Sequence, residues 1–592
     1  MEALKSRFPD LKFAPLVDPN SHPHYLYSPF NPSTQVLKAG HAKDPGRRPF
    51  DVDTVFEKDV AVEMRDKVKL YTDVFRATSS DDSNGKVPAL IQWSPYGKSG
   101  GAQTYDVMGP FRCGVPLDKT SGYEKFEALD PAEWCTRGYA IINIDARGAG
   151  DSEGDIVFWG EQEAMDMYDT VEWASKQPWC NGSVAFAGNS WLAIAQINLA
   201  SRFSHPALKA LAPMEAMTDP YRDQMGRGGI PRAPFMRMIS AGLAGKGGIE
   251  DAASYLEKNP LFDDYWATKV IHVENIDVPL YLTASFSTGI HSRGSFETFQ
   301  RAKTPLKWLR VHPYQEWSDL YRPEINDELQ SFFDKYCKGV DNDWETTPKF
   351  RLSLLGFGES PAKTIVERPE KSWPVPGTEL RTYFLDADSH SLSSSRPEKE
   401  SVTSHDAHHL TDSSNFSVHF DTYTELAGYP TAKLWMSCDE HDDMDVHVQI
   451  QKIAKDGSTL KSLNYECPVP EPQVPDTNVA KFLGPDGMLR ASHRVSKVVV
   501  DGTVQYTHEK AEKITPGQIV ELEIPLWPIG MVFEAGEGIL LRVAGHDLRL
   551  PEVELLRTNV PVDENKGRHK IHTGGKWESS LVVPVIAESK RD

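Results

Sequence analysis

The sequence predicts a mainly parallel α/β domain, broken by a helical insertion and followed by an all-β domain. Two observations carry that prediction. From about residue 60 to 345, apolar runs at 87–93, 140–144, 184–187, 278–284 and 307–312 alternate with helical patterns, as in strands joined by crossover helices. Beyond about residue 348, short alternating strands such as 446–450 and 539–543 are separated by Gly, Pro, Asp and Ser turns, the texture of a β-sandwich or jelly roll. At 592 residues the chain exceeds one hydrophobic core, so two or three domains are expected.

Taken in order, residues 1–50 are rich in Pro, His and Asn and read as an irregular arm lying over the fold. Residues 51–347 form the α/β domain. It opens with a hairpin over 60–71, whose apolar alternation runs on both sides of Asp66-Lys67. A helix over 163–176 presents Met167, Val171 and Ala174 on one core-facing stripe. Residues 215–275 interrupt the sheet and read as a lid over its carboxyl edge. Met214, Met217, Tyr221, Met225, Phe235, Met236 and Met238 in and beside this insert suit either an apolar pocket or ordinary lid packing. A helix over 325–338 follows the last sheet strand. Residues 348–592 form the β domain, with the polar segment 389–412 expected as a long surface loop.

Composition is that of an ordinary globular protein, and the net charge of −21 is spread along the chain. That balance argues against nucleic acid or an anionic membrane as a partner. No apolar leader or bilayer-length apolar run is read. Six scattered cysteines without Cys-x-x-Cys pairs fit free thiols and a cytoplasmic location. The expected partner is a small-molecule substrate, with a homo-oligomer left open.

Chemistry is concentrated at Gly188-Asn189-Ser190-Trp191-Leu192-Ala193, directly after the apolar run 184–187. A strand that stops at Gly-x-Ser and turns at once into a helix exposes the serine hydroxyl. The next backbone N–H, that of Trp191, then faces a developing oxyanion. Ser94-Pro95-Tyr96-Gly97-Lys98 follows an upstream strand and would lie at the same sheet edge. Asp145-Ala146-Arg147-Gly148-Ala149-Gly150-Asp151-Ser152 follows the next strand.

With these motifs the chain resembles the cocaine esterase / X-prolyl dipeptidyl peptidase family of α/β-hydrolases, whose elbow commonly reads Gly-x-Ser-Tyr-x-Gly. The segments 489–494 and 526–536 are similar to that family's C-terminal jelly roll. The resemblance implies an α/β-hydrolase domain with a helical lid, followed by a jelly-roll domain. It further implies Ser190 as nucleophile, and Tyr96 with the Trp191 N–H as the oxyanion hole. Arg147 reads as a structural brace.

The pattern then breaks. The family supplies its acid after the strand matching 278–284, where this chain reads Ala284-Ser285-Phe286-Ser287-Thr288-Gly289-Ile290-His291, without a carboxylate. Ser287 is the nearest match to the missing Asp. The family's histidine follows the last strand, where this chain has His312-Pro313-Tyr314-Gln315-Glu316-Trp317-Ser318-Asp319. Glu316, or Gln315, stands where the base belongs, so the order Ser…Asp…His cannot be filled.

Three readings follow. In the first, His312 is the base of an ester or amide hydrolase, oriented by Glu316 or Asp319 and favoured over His291. In the second, Ser190, His291, His312 and Glu316 serve non-hydrolytic chemistry such as elimination, cyclisation or C–C cleavage. In the third, the site is retired and binds without turnover.

No cofactor or metal is inferred. His405-x-x-His408-His409 lies in the polar segment without ligand spacing, and Gly97-Lys98-Ser99-Gly100 lacks the phosphate-loop frame.

Overall fold

The computed structural model describes residues 2–82, 85–98, 100–286, 289–477, 479–500, 503–548 and 564–587. The first domain is built on an eleven-stranded sheet. Strands β1 (Ser33–Leu37), β2 (Thr54–Glu63) and β3 (Lys69–Ala77) form its antiparallel edge. Seven parallel strands follow: β4 (Val87–Ser94), β5 (Ala140–Asp145), β6 (Cys180–Asn189), β7 (Leu208–Met214), β8 (Leu280–Ser285), β9 (Lys307–His312) and β10 (Phe350–Leu354). The antiparallel β11 (Ile365–Glu370) closes the far side. Across the sheet the order is β11-β10-β9-β8-β7-β6-β4-β5-β3-β2-β1.

The near-continuous apolar runs of β4, β5 and β6 are explained by helices on both faces. Helices α1 (Glu161–Ser175) and α2 (Trp191–Arg202) pack side by side. The stripe Met167, Val171 and Ala174 of α1 is fully buried. Helices α3 (Ser292–Arg301), α4 (Glu316–Leu320) and α5 (Pro323–Cys337) follow β8 and β9.

Register aligns the strand ends. Asn189 lies opposite Met214, and Ser285 opposite His312. Whatever follows β4, β6, β7, β8 and β9 therefore meets at one edge of the sheet.

The second domain is all-β. Thr378–Asp386 pairs antiparallel with Ser580–Ile586, Thr431–Cys438 with Val520–Pro525, and Asp445–Ile453 with Gly538–Ala544. Three sequence expectations need revision. The strand at 307–312 is not the last of the main sheet, and 348 is too early a start for the β domain, because Phe350–Leu354 and Ile365–Glu370 extend that sheet. The arm is not wholly irregular, since Ser33–Leu37 joins the main sheet and Phe13–Pro15 pairs with Gly248–Glu250 of the lid region. Nor is 389–412 one long surface loop. Ser391–Ser393 and Ser401–Asp406 are strands, and the latter pairs with Arg568–Thr573 so that His405 is buried. Small and β-branched polar residues satisfy a half-buried strand as well as a loop.

The β domain braces this edge of the sheet. Phe286, the residue after β8, packs so closely on Gly530 that a Cβ there would lie 2.2 Å from its ring. Gln315, between β9 and α4, donates its N–H to Asn464 O at 2.6 Å. In the lid region, Arg227 reaches Asp486 Oδ2 at 2.9 Å and stacks over Trp527. All six cysteines are free thiols. Among the described residues no helix is long and apolar enough to cross a membrane.

Candidate active site

Ser190 sits between β6 and α2 with φ 54° and ψ −117°, a strained turn that lifts the side chain off the sheet edge. Neighbouring backbone holds this turn. The Asn189 N–H donates to Glu127 O at 3.0 Å, and the Ser190 N–H to Met214 O at 3.1 Å. Gly188 has φ 129°, and a Cβ there would meet the Glu127 carbonyl at 2.8 Å, so glycine is required. Three other non-glycine residues around this turn have positive φ: Glu127 (66°), whose carbonyl accepts from Asn189, Trp159 (47°), which packs on the Trp191 ring, and Glu215 (60°), which follows Met214.

The imidazole presented to Ser190 is that of His291, with Nε2 3.2 Å from Oγ. Its Nδ1 lies 3.2 Å from Glu316 Oε2. With Nδ1–H donated to that carboxylate, Nε2 keeps its lone pair for the serine proton. His291 and Glu316 are each 6% exposed, whereas Ser190 is only half-buried.

Local structure explains both placements. His291 stands at the N-terminal boundary of α3, and Gly294 lets that helix approach Ala216 O, where a Cβ would sit at 2.3 Å. Glu316 opens α4 because Gln315 caps it, its Oε1 accepting from the N–H groups of Trp317 and Ser318 at 2.7 and 3.0 Å.

His312, the expected base, is directed elsewhere. Its Nε2 lies 3.6 Å from both Glu215 Oε1 and Asp319 Oδ2. Burial, only partly opposed by Asp319, pushes its ring down to about 3. Asp319 in turn holds Arg310 through a bidentate pair at 2.6 and 2.7 Å. The strand end therefore aims His312 into a buried polar cluster, and Glu316 orients His291 instead. Ser287 lies outside the described residues.

Tyr96 is 4% exposed, its ring packed edge-on against that of Trp191 with the centroids 6.0 Å apart. Burial, reinforced by Glu127, pushes the Tyr96 hydroxyl well above its ordinary range, so it remains a donor. Lys125 Nζ fixes the following residue by donating to Gly97 O at 3.0 Å. Trp191 is the first residue of α2, and its N–H has no intrahelical acceptor. Arg147 is the expected brace, forked onto Asp166 at 2.6 and 2.7 Å.

Two buried carboxyls escaped the sequence reading. Glu127 and Glu215 flank the site, and burial together with the charge of Glu316 pushes both well above the usual carboxyl range. Trp317 Nε1 donates to Glu127 Oε1 at 2.9 Å. An acidic residue at the mouth of a strand, as in Met214-Glu215, was the available signal. Elsewhere, His441, Asp442 and Glu564 have the spacing of metal ligands, yet the Lys513 ammonium already lies 2.9 Å from Glu564.

The fold and this edge define an α/β-hydrolase carrying an all-β second domain. The comparisons agree. The model of the X-Pro dipeptidyl-peptidase (S15 family) matches residues 66–254. That of the X-Pro dipeptidyl-peptidase C-terminal non-catalytic domain matches residues 342–582. A CocE/NonD family hydrolase from Staphylococcus aureus, known as a crystal structure, is 31% identical with a TM-score of 0.78, covering 90% of this chain and 94% of its own. Cocaine esterase of Rhodococcus sp. (strain MB1 Bresler) is 26% identical over 395 residues, 55% of this chain and 61% of that enzyme, less than two thirds of its length. An aminopeptidase from a Thaumarchaeota archaeon, 17% identical with a TM-score of 0.65 over 90% of this chain and 97% of its own, shares the fold. The chain belongs to the CocE/NonD, or cocaine esterase / X-prolyl dipeptidyl peptidase, family and is a hydrolase of esterase/peptidase type.

Proposed function

We propose that the protein hydrolyses an ester or amide of a small, largely apolar organic substrate through Ser190. The carrying observation is the chain Ser190 Oγ to His291 Nε2 to Glu316 Oε2, with both contacts at 3.2 Å. In this reading His291 takes the hydroxyl proton as Oγ attacks the carbonyl. Glu316 stabilises the imidazolium, and Tyr96 Oη with the Trp191 N–H receives the oxyanion. His291 then returns the proton to the leaving group, and water repeats the cycle on the acyl-enzyme.

Aromatic residues around the elbow support the apolar substrate class. Phe126 packs on Tyr96 and Trp317 at 5.6 and 5.3 Å, and Phe158 and Trp159 pack on Trp191 at 5.3 and 4.9 Å. Labelling with a fluorophosphonate tests the reading. Wild-type protein is expected to label, and Ser190→Ala not to label. Folded wild-type protein that resists labelling would overturn it.

A further inference from the structure

We propose that Glu163 is a positioning residue of the oxyanion hole, fixing Tyr96 and Trp191 relative to each other through two indoles. The inference rests on the hydrolytic reading above. The two donors belong to different elements: Tyr96 follows β4, whereas the Trp191 N–H opens α2. Glu163, on α1, ties these elements together with one atom. Its Oε1 accepts from Trp93 Nε1 at 3.1 Å and from Trp191 Nε1 at 2.9 Å. Trp93 lies within β4, three residues before Tyr96. Trp191 is itself the residue whose backbone N–H faces the oxyanion.

All three clamp residues are buried, with Glu163, Trp93 and Trp191 at 3%, 1% and 2% exposure. The Trp191 ring is further wedged among Phe158, Trp159 and Tyr96, its centroid 6.0 Å from that of Tyr96. Rotating either indole would leave a buried N–H without its acceptor. Burying an acid to hold two tryptophans costs more than packing them with apolar side chains, and that cost is explained if their placement matters to catalysis. Burial pushes Glu163 up to about 7 against the lowering effect of both indoles, with Asp166 adding to the rise and Lys269 opposing it. Asp166 is occupied by Arg147, and Lys269 by Glu250 at 2.8 and 2.9 Å. The clamp acts through hydrogen-bond geometry, so a neutral acceptor of the same shape should replace it.

Phosphonylation of Ser190 by a fluorophosphonate reads the hole directly. The Oγ–P bond forms, fluoride leaves with the P–F electrons, the hydroxyl proton passes to His291, and the phosphoryl oxygen occupies the oxyanion position. In the 592-residue chain, Glu163→Leu is expected to lower kinact about 10- to 100-fold with KI unchanged. Glu163→Gln, which keeps the acceptor, should stay within about threefold of wild type, and Trp93→Phe should fall between. A thermal melt checks folding. If Glu163→Leu does not fold, Trp93→Phe decides. Wild-type kinact in folded Glu163→Leu, or in Trp93→Phe if Glu163→Leu does not fold, overturns the clamp alone, as does a loss in Glu163→Gln equal to that in Glu163→Leu. Absence of labelling in wild type overturns the hydrolytic reading itself.

Discussion

His291 Nδ1 lies 3.2 Å from Glu316 Oε2, and in this contact the histidine comes from the loop after β8 and the carboxylate from the loop after β9. The family resemblance implies the reverse. The exchange is geometrically inexpensive because β8 and β9 are parallel neighbours, with Ser285 opposite His312. Their following loops open side by side at the same edge, so either can bring an imidazole to Ser190 while the other backs it with a carboxylate.

We therefore predict that His291→Ala lowers kcat/KM for a p-nitrophenyl ester by about 10⁴-fold, and Glu316→Gln by about 10²- to 10⁴-fold. His312→Gln, whose ring faces Glu215 and Asp319 and not Ser190, should stay within about tenfold of wild type. Steady-state kinetics on the three purified variants provides the check. A His312→Gln enzyme as inactive as His291→Ala would refute the exchanged assignment.

Tyr96→Phe removes one oxyanion donor and little else, because the ring keeps its edge contacts with Phe126 and Trp191. The expected loss is about 10²- to 10³-fold in kcat with KM nearly unchanged. A rise in KM with kcat unchanged would place the hydroxyl in ground-state binding instead.

Much of this was legible in the sequence. The elbow, Tyr96 and the run of parallel strands are local signals: an apolar run, a turn and the residues that follow. The pairing of acid and base is not local. His291, His312 and Glu316 were all visible as candidates, but which imidazole meets Ser190 depends on side-chain direction at the end of β9. There His312 turns to Glu215 and Asp319, both distant in pattern from the elbow. Glu127 and Glu215 were hidden for the same reason, since burial of a single acid leaves no periodic trace.

The brace from the β domain gives a third prediction. At Gly530 a Cβ would lie 2.2 Å from the Phe286 ring and 2.8 Å from Ser353 O. Gly530→Ala must therefore push Phe286, at the root of the loop that carries His291. We expect destabilisation of about 1–3 kcal/mol, together with a fall in kcat. Thermal unfolding and kinetics on the same preparation check it; a fully active, equally stable variant would show that the brace does not support the loop.

A fourth prediction concerns acid stability. His405 and His569 face each other across two paired strands, their ring centroids 5.5 Å apart, and both are fully buried. Burial pushes His405 down to about 4 and His569 to about 3. Each folded value lies below the unfolded value near 6.5, so between those limits the unfolded chain binds more protons. Stability is thus complete above about pH 6.5 and falls as pH drops toward 4, by about 1.4 kcal/mol per unit for each histidine. Neither ring nitrogen of His569 has a hydrogen-bond partner among the described residues, so an apolar replacement there loses no bond and removes one proton-uptake site. His569→Leu should match or exceed wild-type stability at pH 7.5 and move the acid-unfolding midpoint to lower pH, as followed by circular dichroism. An unchanged midpoint in a folded His569→Leu protein would mean that other groups govern acid unfolding.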